Sequence, residues 1–154
     1  MPAAPSPSPE TPASAPAYWQ CGRFRLAVDR PQIMGILNIT DDSFSDGGRF
    51  RDPQVAVAAA RRMVEEGAGI IDIGAESTRP GARTVSPDEE WARLAPVMEA
   101  LAGLEVPLSI DTRHPATMVK ALAAGASIIN DISGFRTPEA RAAVAASDTG
   151  VVTM

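Results

Sequence analysis

Short apolar runs with almost no polar alternation recur along the chain. Runs of this kind, rich in Ile, Val and Leu, predict strands that are covered on both faces, as in a parallel β-sheet. Five are present: IMGILNIT (33–40), the run IIDIG that begins at Ile70, LSIDT (108–112), SIINDIS (127–133) and VVTM (151–154). In the first four, a polar residue stands near the C-terminal end, where α/β folds build their sites. These residues are Asn38, Asp72, Asp111 and Asn130.

The segments between these runs predict helices with well-marked starts. Four times, a capping candidate is followed by proline, which suits the first position of a helix. The pairs are Asp52-Pro53, Ser86-Pro87, His114-Pro115 and Thr137-Pro138, so His114 is interpreted as a cap rather than as a catalytic group. We expect the first helix to cover 53–66, with Val55, Ala59 and Met63 on one apolar face. Pro96 predicts a kink or a break in the second helix.

The first 32 residues predict a tail followed by a hairpin. Residues 1–17 contain six prolines among Ala, Ser and Thr, a composition that cannot bury a core and predicts disorder. We therefore place the folded domain at 18–154. Within 18–32, a Cys-Gly turn candidate separates two short, partly alternating runs, which predicts a small antiparallel hairpin. The tail lacks the apolar stretch of a signal peptide and the arginines of a transit peptide.

The order of elements is a hairpin, then strand and helix repeated four times, then a fifth strand. Parallel strands joined by right-handed helical crossovers form either an eight-stranded barrel or an open doubly wound sheet. A dinucleotide-binding sheet would need a Gly-x-Gly-x-x-Gly turn after its first strand, and the sequence has none. A complete barrel needs about 250 residues. The chain has 154, a little over half of that number.

Composition narrows the classes of function. The net charge is −5 and the isoelectric point is about 4.8, which argues against non-specific binding of nucleic acid. The single cysteine, Cys21, excludes an intramolecular disulfide and fits a reducing cytoplasm. No apolar run approaches the roughly 20 residues of a membrane span.

Two polar loops follow the first two strands. The string NITDDSFSDGG (38–48) is either a long turn stabilised by its own side chains or a loop that covers a substrate. Asn38 offers an oxygen to a hard cation such as magnesium. The string ESTRPG (76–81) suits a phosphate or carboxylate through its hydroxyls, guanidinium and free backbone amides. Its alternative is a solvated loop in which the arginine pairs with Glu76.

Three further strand-end residues suggest a pocket. If Asp111 and Asn130 face one interior, a carboxylate and an amide together can grip a flat heterocycle that carries N–H donors. The alternative is that both side chains only form hydrogen bonds with the backbone of neighbouring loops. Asp72 also has two possible roles: it is either a functional carboxylate or an anchor for neighbouring backbone amides. The sequence predicts neither a Ser-His-Asp set nor a cluster of metal ligands.

Four strings taken together resemble one family. MGILNITDDSFSDGG, DIGAESTRPGA, SIDT and AGASIINDISG stand in this order, as they do in the dihydropteroate synthases, folate-pathway enzymes of the pterin-binding barrel family. The resemblance spans 31–154. It implies a TIM (β/α)8 barrel, here truncated to roughly its first five strands and four helices, with an N-terminal hairpin.

The resemblance also implies an activity and a set of site residues. Dihydropteroate synthases condense 6-hydroxymethyl-7,8-dihydropterin diphosphate with p-aminobenzoate, giving 7,8-dihydropteroate and diphosphate. Asn38 would meet Mg2+. The residues that would bind the pterin diphosphate are Thr78, Asp111, Asn130 and Asp72. The loop that would bind p-aminobenzoate contains Ser77, Arg79 and Pro80. No catalytic residue is assignable within the chain. A cytoplasmic location and a homodimer of the full-length protein are the accompanying expectations, with neither nucleic acid nor membrane as partner.

Two departures from the family qualify these implications. Thr40-Asp41-Asp42-Ser43 stands where the family usually has Thr-Pro-Asp-Ser, which loosens the backbone and adds a negative charge. The family's later aspartate, its pocket lysine and its arginine–histidine motif would follow Met154, so we expect this portion alone to be inactive. The alternatives are a pterin-dependent methyltransferase of the same superfamily and a non-catalytic truncated paralogue that binds pterin or a synthase partner.

Overall fold

The computed structural model describes residues 17–39, 52–77 and 80–154. The predicted disordered tail therefore lies, apart from Ala17, outside the described residues. The polar loop after Ile39, with the departure at 40–43, and the site candidates Thr78 and Arg79 also lie outside them.

A five-stranded parallel sheet forms the framework of the described part of the chain. Its strands adjoin in sequence order: β3 (Met34–Asn38), β4 (Ile70–Gly74), β5 (Leu108–Asp111), β6 (Ile128–Asp131) and β7 (Gly150–Thr153). The crossovers are the helices α1 (Pro53–Glu65), α2 (Pro87–Leu101), α3 (Pro115–Ala123) and α4 (Pro138–Ala145).

The strand order distinguishes between the two predicted architectures. A doubly wound sheet reverses its order at a switch point and carries helices on both faces. Here the order does not reverse, and each helix contacts the next along one face of the sheet. This is the arrangement of consecutive units in a (β/α)8 barrel, so the predicted fold class, a truncated barrel of five strands and four helices, is confirmed.

All four helices begin at the predicted prolines. The side chains of Asp52, Ser86 and Thr137 accept capping hydrogen bonds, from the amides of Gln54, Glu89 and Ala140 respectively. His114 stands at the fourth cap, but its side chain makes no capping bond. The predicted position of His114 at the N-cap is therefore confirmed, although its imidazole does not supply the capping bond.

Two details of the helices also differ from expectation. The buried face of α1 is centred on Ala56 and Ala60, while Val55 is 38% exposed, because the helix packs against the sheet through small side chains. Helix α2 continues through Pro96, so the predicted break is absent and the predicted kink stays a prediction. Buried residues on both sides of the proline, including Leu94 and Met98, hold the two halves in the core.

The hairpin covers the opposite face of the sheet. It consists of β1 (Tyr18–Cys21) and β2 (Phe24–Ala27), joined through Gly22 at a positive φ of 55°. Cys21 packs against Ile70 and Ile128, near the N-terminal ends of β4 and β6. The hairpin thus closes the N-terminal end of the barrel interior and leaves the C-terminal end, where the polar residues lie, uncovered by it.

Within the described ranges, no helix is both long enough and apolar enough to span a membrane.

Candidate functional site

The register of the parallel strands places four strand-end residues in one row. Asn38 pairs with Gly74, Gly74 with Asp111, and Asp111 with Asn130. The neighbours Leu37, Ile73, Ile110 and Ile129 are buried in the core cluster beneath the helices. Since successive side chains of a strand point to opposite faces, the row of polar residues faces the barrel interior.

Gly74 leaves room between two of these side chains. A β-carbon at this position would lie 3.4 Å from Oδ2 of Asp111 and 3.6 Å from Oδ1 of Asn38. A larger side chain would therefore occupy the space between the two oxygens. The glycine keeps a carboxylate and an amide oxygen facing the same small space.

A second row lies one layer deeper. Ile36, Asp72, Ser109 and Ile128 are aligned across the strands. The hydroxyl of Ser109 donates to Oδ1 of Asp72 at 2.5 Å, and Nδ2 of Asn130 lies 3.4 and 3.5 Å from the two oxygens of Asp72. Asp72 is 3% exposed and Ser109 is fully buried. The deeper row therefore connects the strand-end amide to a buried carboxylate.

The loop after β6 is held by the residue next to Asn130. Asp131 is fully buried and accepts hydrogen bonds from the amides of Ser133 and Phe135, both at 2.8 Å, and from the Ser133 hydroxyl at 2.7 Å. These bonds satisfy the carboxylate within its own loop. They fix the end of β6 and with it the backbone that carries Asn130.

Burial and neighbouring carboxylates change the acidity of the site. Burial, followed by the charges of Asp72, Glu90, Asp131 and Glu76, raises the pKa of Asp111 to about 7. Burial also raises the pKa of Asp72, although the hydrogen bonds from Ser109 and Asn130 oppose this change. Asp111 therefore changes its charge near neutral pH.

The raised pKa of Asp111 predicts a pH-dependent stability. Between the usual value of 3.8 and about 7, the folded chain binds this proton more tightly than the unfolded chain does. The free energy of unfolding should therefore fall as the pH rises through this range. We expect this contribution to be absent in Asp111→Asn, whose side chain does not titrate. Urea unfolding at about pH 5 and about pH 8 measures it, and an equal pH response in both proteins would contradict it.

The loop between β4 and α2 is closed by a carboxylate at its base. Glu76 accepts hydrogen bonds from the amide of Val85 at 3.3 Å and from Nη2 and Nε of Arg113 at 2.8 and 3.1 Å. Burial alone would raise the pKa of Glu76, but the Arg113 guanidinium, the Val85 amide and His114 together lower it. Ser77 and Pro80 lie on the loop that this contact closes. Beside it, a cavity of about 250 Å³ is lined by Glu76, Ser77, Glu90, Asp111, Arg113 and Ile132 among others.

Removing the Arg113 side chain should destabilise the fold measurably. Arg113→Met is expected to lower the free energy of unfolding by about 1 kcal/mol, because the pair is bidentate and Glu76 is largely buried. Lys120→Met is the matched control. Lys120 and Arg113 have side chains 43% and 42% exposed, but the partner of Lys120, Asp88, is 95% exposed while Glu76 is 13% exposed. Urea unfolding should show almost no effect of the control, and equal losses would contradict the role of Glu76.

Comparison with known proteins assigns the chain to a family. Residues 34–154 match the family model described as pterin binding enzyme. The chain belongs to the pterin-binding enzyme family. It is similar to the dihydropteroate synthase of Neisseria meningitidis serogroup C, at 51% identity over 139 residues that cover 88% of this chain and 49% of that protein. It is also similar to the dihydropteroate synthase of Clostridium beijerinckii, at 50% identity over 77% of this chain and 44% of that protein.

The solved structures that are similar to this chain include dihydropteroate synthases as well. The dihydropteroate synthase of Burkholderia cenocepacia, complexed with 7,8-dihydropteroate, matches with a TM-score of 0.72 and 54% identity over 88% of this chain and 45% of that one. The Yersinia pestis dihydropteroate synthase in a sulfonamide complex matches with a TM-score of 0.83 and 45% identity. The match covers 90% of this chain and 50% of that one. The chain thus spans about half the length of the curated relatives and solved structures that it matches.

The structure brings together some of the residues implied by the family resemblance. Asn38, Asp72, Asp111 and Asn130 meet at the C-terminal end of the sheet, in two adjoining rows. Ser77 and Pro80 lie on the neighbouring loop, whereas Thr78 and Arg79 are outside the described residues. The ligands of these residues stay a prediction from the family resemblance.

One cluster was missed by the sequence reasoning. Oxygens of Glu76 and Glu90 and a nitrogen of His114 lie within 4.8 Å of one another, an arrangement that could hold a metal ion. Glu90 is fully buried and accepts from the hydroxyl of Thr112 at 2.8 Å. Burial raises the pKa of Glu90, which the hydroxyls of Thr117 and Thr112 only partly offset. The sequence signal that could have revealed this cluster is Glu90, which lies on the buried apolar stripe of α2, four residues before Leu94.

Proposed function

We propose that the protein containing this chain is a dihydropteroate synthase, which joins 6-hydroxymethyl-7,8-dihydropterin diphosphate to p-aminobenzoate. The observation that carries the proposal is the row Asn38, Gly74, Asp111 and Asn130 at the open end of the barrel. It occurs in a chain about half identical to dihydropteroate synthases. The proposal concerns the whole protein, because this chain spans about half the length of those relatives.

The pterin ring is assigned to Asp111, Asn130 and Asp72. Pterins carry ring N–H and amino donors along one edge, and an ionised Asp111 together with the Asn130 oxygen offers acceptors to such an edge. Departure of diphosphate leaves the pterin methylene electron-poor. A carboxylate close to the ring stabilises that developing positive charge in a site of low dielectric.

Magnesium is assigned to Asn38. The amide oxygen of Asn38, beside Gly74 at the strand ends, is a hard oxygen donor of the kind that this ion prefers, and it fits an ion that takes few protein ligands. When bound, magnesium neutralises negative charge on a departing diphosphate. We assign to Thr78 a contact with the pterin diphosphate.

p-Aminobenzoate is assigned to the loop of Ser77, Arg79 and Pro80. The amine nitrogen attacks the pterin methylene, the carbon–oxygen bond to diphosphate breaks, and the amine gives up one proton. An aromatic amine is already a competent nucleophile, so the loop has mainly to orient it. The hydrogen bonds that Glu76 accepts from Val85 and Arg113 support this role by holding the base of the loop.

Diphosphate release tests the proposed function. The protein expressed from its complete gene should release diphosphate only when the dihydropterin diphosphate, p-aminobenzoate and magnesium are all present. Pterin binding without release would instead identify a non-catalytic paralogue. Transfer of a methyl group from a methylated folate, again without diphosphate release, would identify a methyltransferase, and either result would overturn the proposal.

We also assign the protein to the cytoplasm. The only cysteine, Cys21, is buried, and burial raises the pKa of its thiol to about 11. The chain thus uses no disulfide for stability, as is usual in a reducing compartment. Fractionation of the source cells tests the location. The homodimer of the full-length protein stays a prediction, which light scattering would test.

A further inference from the structure

Ser109 is a buried hydroxyl on strand β5, where its neighbours in sequence, Leu108 and Ile110, are buried apolar residues. It is fully buried, and its Oγ lies 2.5 Å from Oδ1 of Asp72. Strand β5 would be stable with an apolar residue at this position, since strands favour branched apolar side chains. The hydroxyl therefore contributes through its partner, the carboxylate.

Asp72 in turn determines how the amide of Asn130 is turned. Carboxylate oxygens accept hydrogen bonds, and the NH2 group of Asn130 is the end of its amide that faces Asp72. Nδ2 lies 3.4 and 3.5 Å from the two oxygens of Asp72. Oδ1 of Asn130 is buried and has no hydrogen-bond partner among residues 17–39, 52–77 and 80–154. An orphaned buried acceptor is costly unless a ligand satisfies it.

The two contacts of Asp72 differ in strength. The bond from Ser109 is short, while both contacts from Asn130 are at the long end of hydrogen-bond geometry. Ser109 therefore sets the rotation of the carboxylate, and Asn130 follows it. The Ser109 bond also favours the ionised form of Asp72 against the effect of burial. Without the Ser109 bond, Asp72 would lose its shortest contact, and only the two long contacts from Asn130 would keep the amide in this orientation.

We propose that Ser109 is a positioning residue for pterin recognition: it orients Asp72, which holds Asn130 with its amide oxygen presented to the N–H donors of the ring. This inference rests on the proposed function. A ligand that offers a donor at this point satisfies the orphaned oxygen, whereas one that offers an acceptor meets a second acceptor. The selectivity of the pocket for donor-bearing rings thus depends on a residue that lies one row below the strand-end residues.

The test compares two isosteric variants, Ser109→Thr and Ser109→Val, in the protein expressed from its complete gene. Both add a branch to the buried strand, but only threonine keeps the hydroxyl. Calorimetry with 6-hydroxymethylpterin should show affinity about tenfold lower for the valine variant than for the threonine variant. Ser127→Ala is a control in which another buried serine, 4% exposed, loses its hydroxyl at the opposite end of the sheet, and it should bind as the wild type does.

A second readout follows Asn130 without a ligand. Side-chain amide hydrogens of Asn130, identified by NMR through their loss in Asn130→Asp, should exchange about tenfold faster in Ser109→Val than in Ser109→Thr. Equal exchange and equal pterin affinity in the two variants would overturn the role of Ser109. Failure of the wild type to bind any pterin, with the difference in exchange intact, would instead overturn the proposed function and retain the orientation of Asn130 by Ser109.

Discussion

Asp111→Asn is expected to weaken binding of 6-hydroxymethylpterin by about a hundredfold. The substitution preserves the size of the side chain but replaces one acceptor oxygen by an NH2 group. That group would face the N–H donors of the ring, so one favourable contact becomes a repulsive one. The site can hardly adapt, because Asp111 lies in a row whose neighbours, Gly74 and Asn130, are fixed by the strand register.

Calorimetry of the protein expressed from its complete gene measures this effect. Asp88→Asn makes the same chemical change on a side chain that is 95% exposed on α2 and should leave pterin affinity unchanged. Because Asp111 has a pKa of about 7, wild-type affinity should also decrease below neutral pH, as the acceptor becomes protonated. Unchanged affinity in Asp111→Asn would remove Asp111 from the pterin site.

Gly150→Ala is expected to lower the free energy of unfolding by about 2 kcal/mol, because the added methyl group has no space. A β-carbon on Gly150 would lie 2.7 Å from Sγ of Cys21, 2.9 Å from a ring carbon of Trp19 and 3.1 Å from Cγ1 of Ile128. These side chains belong to the hairpin and to the start of β6. The substitution should therefore force the hairpin away from the barrel interior.

Urea unfolding tests this expectation against Gly103→Ala. No atom of the described residues lies within 4 Å of a β-carbon built on Gly103, and its φ is not positive, so alanine should be tolerated there. Similar stabilities for the two variants would mean that the hairpin is not held against β7. The prediction concerns stability alone, because Gly150 lies at the end of the sheet opposite the strand-end carboxylates.

The parts of the fold that were predictable from the sequence are those with local signals. A cap followed by proline requires only neighbouring residues, and it located the starts of all four helices that the structure describes. Strand-end residues were predictable because side chains alternate with a period of two and parallel strands end at one edge. Asn38, Asp111 and Asn130 therefore fell into one row.

The parts that were not predictable depend on distant partners. Ser109 is one polar residue in a short strand, and its role becomes visible only beside Asp72, 37 positions earlier. Glu90 interrupts the apolar stripe of α2, but its partner Thr112 comes from the next strand–helix loop. The orientation of α1 followed the packing of Ala56 and Ala60 against the sheet, which outweighed the larger apolar surface of Val55.

A crystal structure of the protein with 6-hydroxymethylpterin bound would test the central claim most directly. The account predicts the ring at the C-terminal end of the sheet, with N–H donors toward Asp111 and toward the amide oxygen of Asn130. A different cavity, of about 330 Å³, lies near the hairpin and is lined by Arg23, Phe24 and Leu104 among others. A ring bound there, with Asp111 and Asn130 without contact to it, would contradict the account.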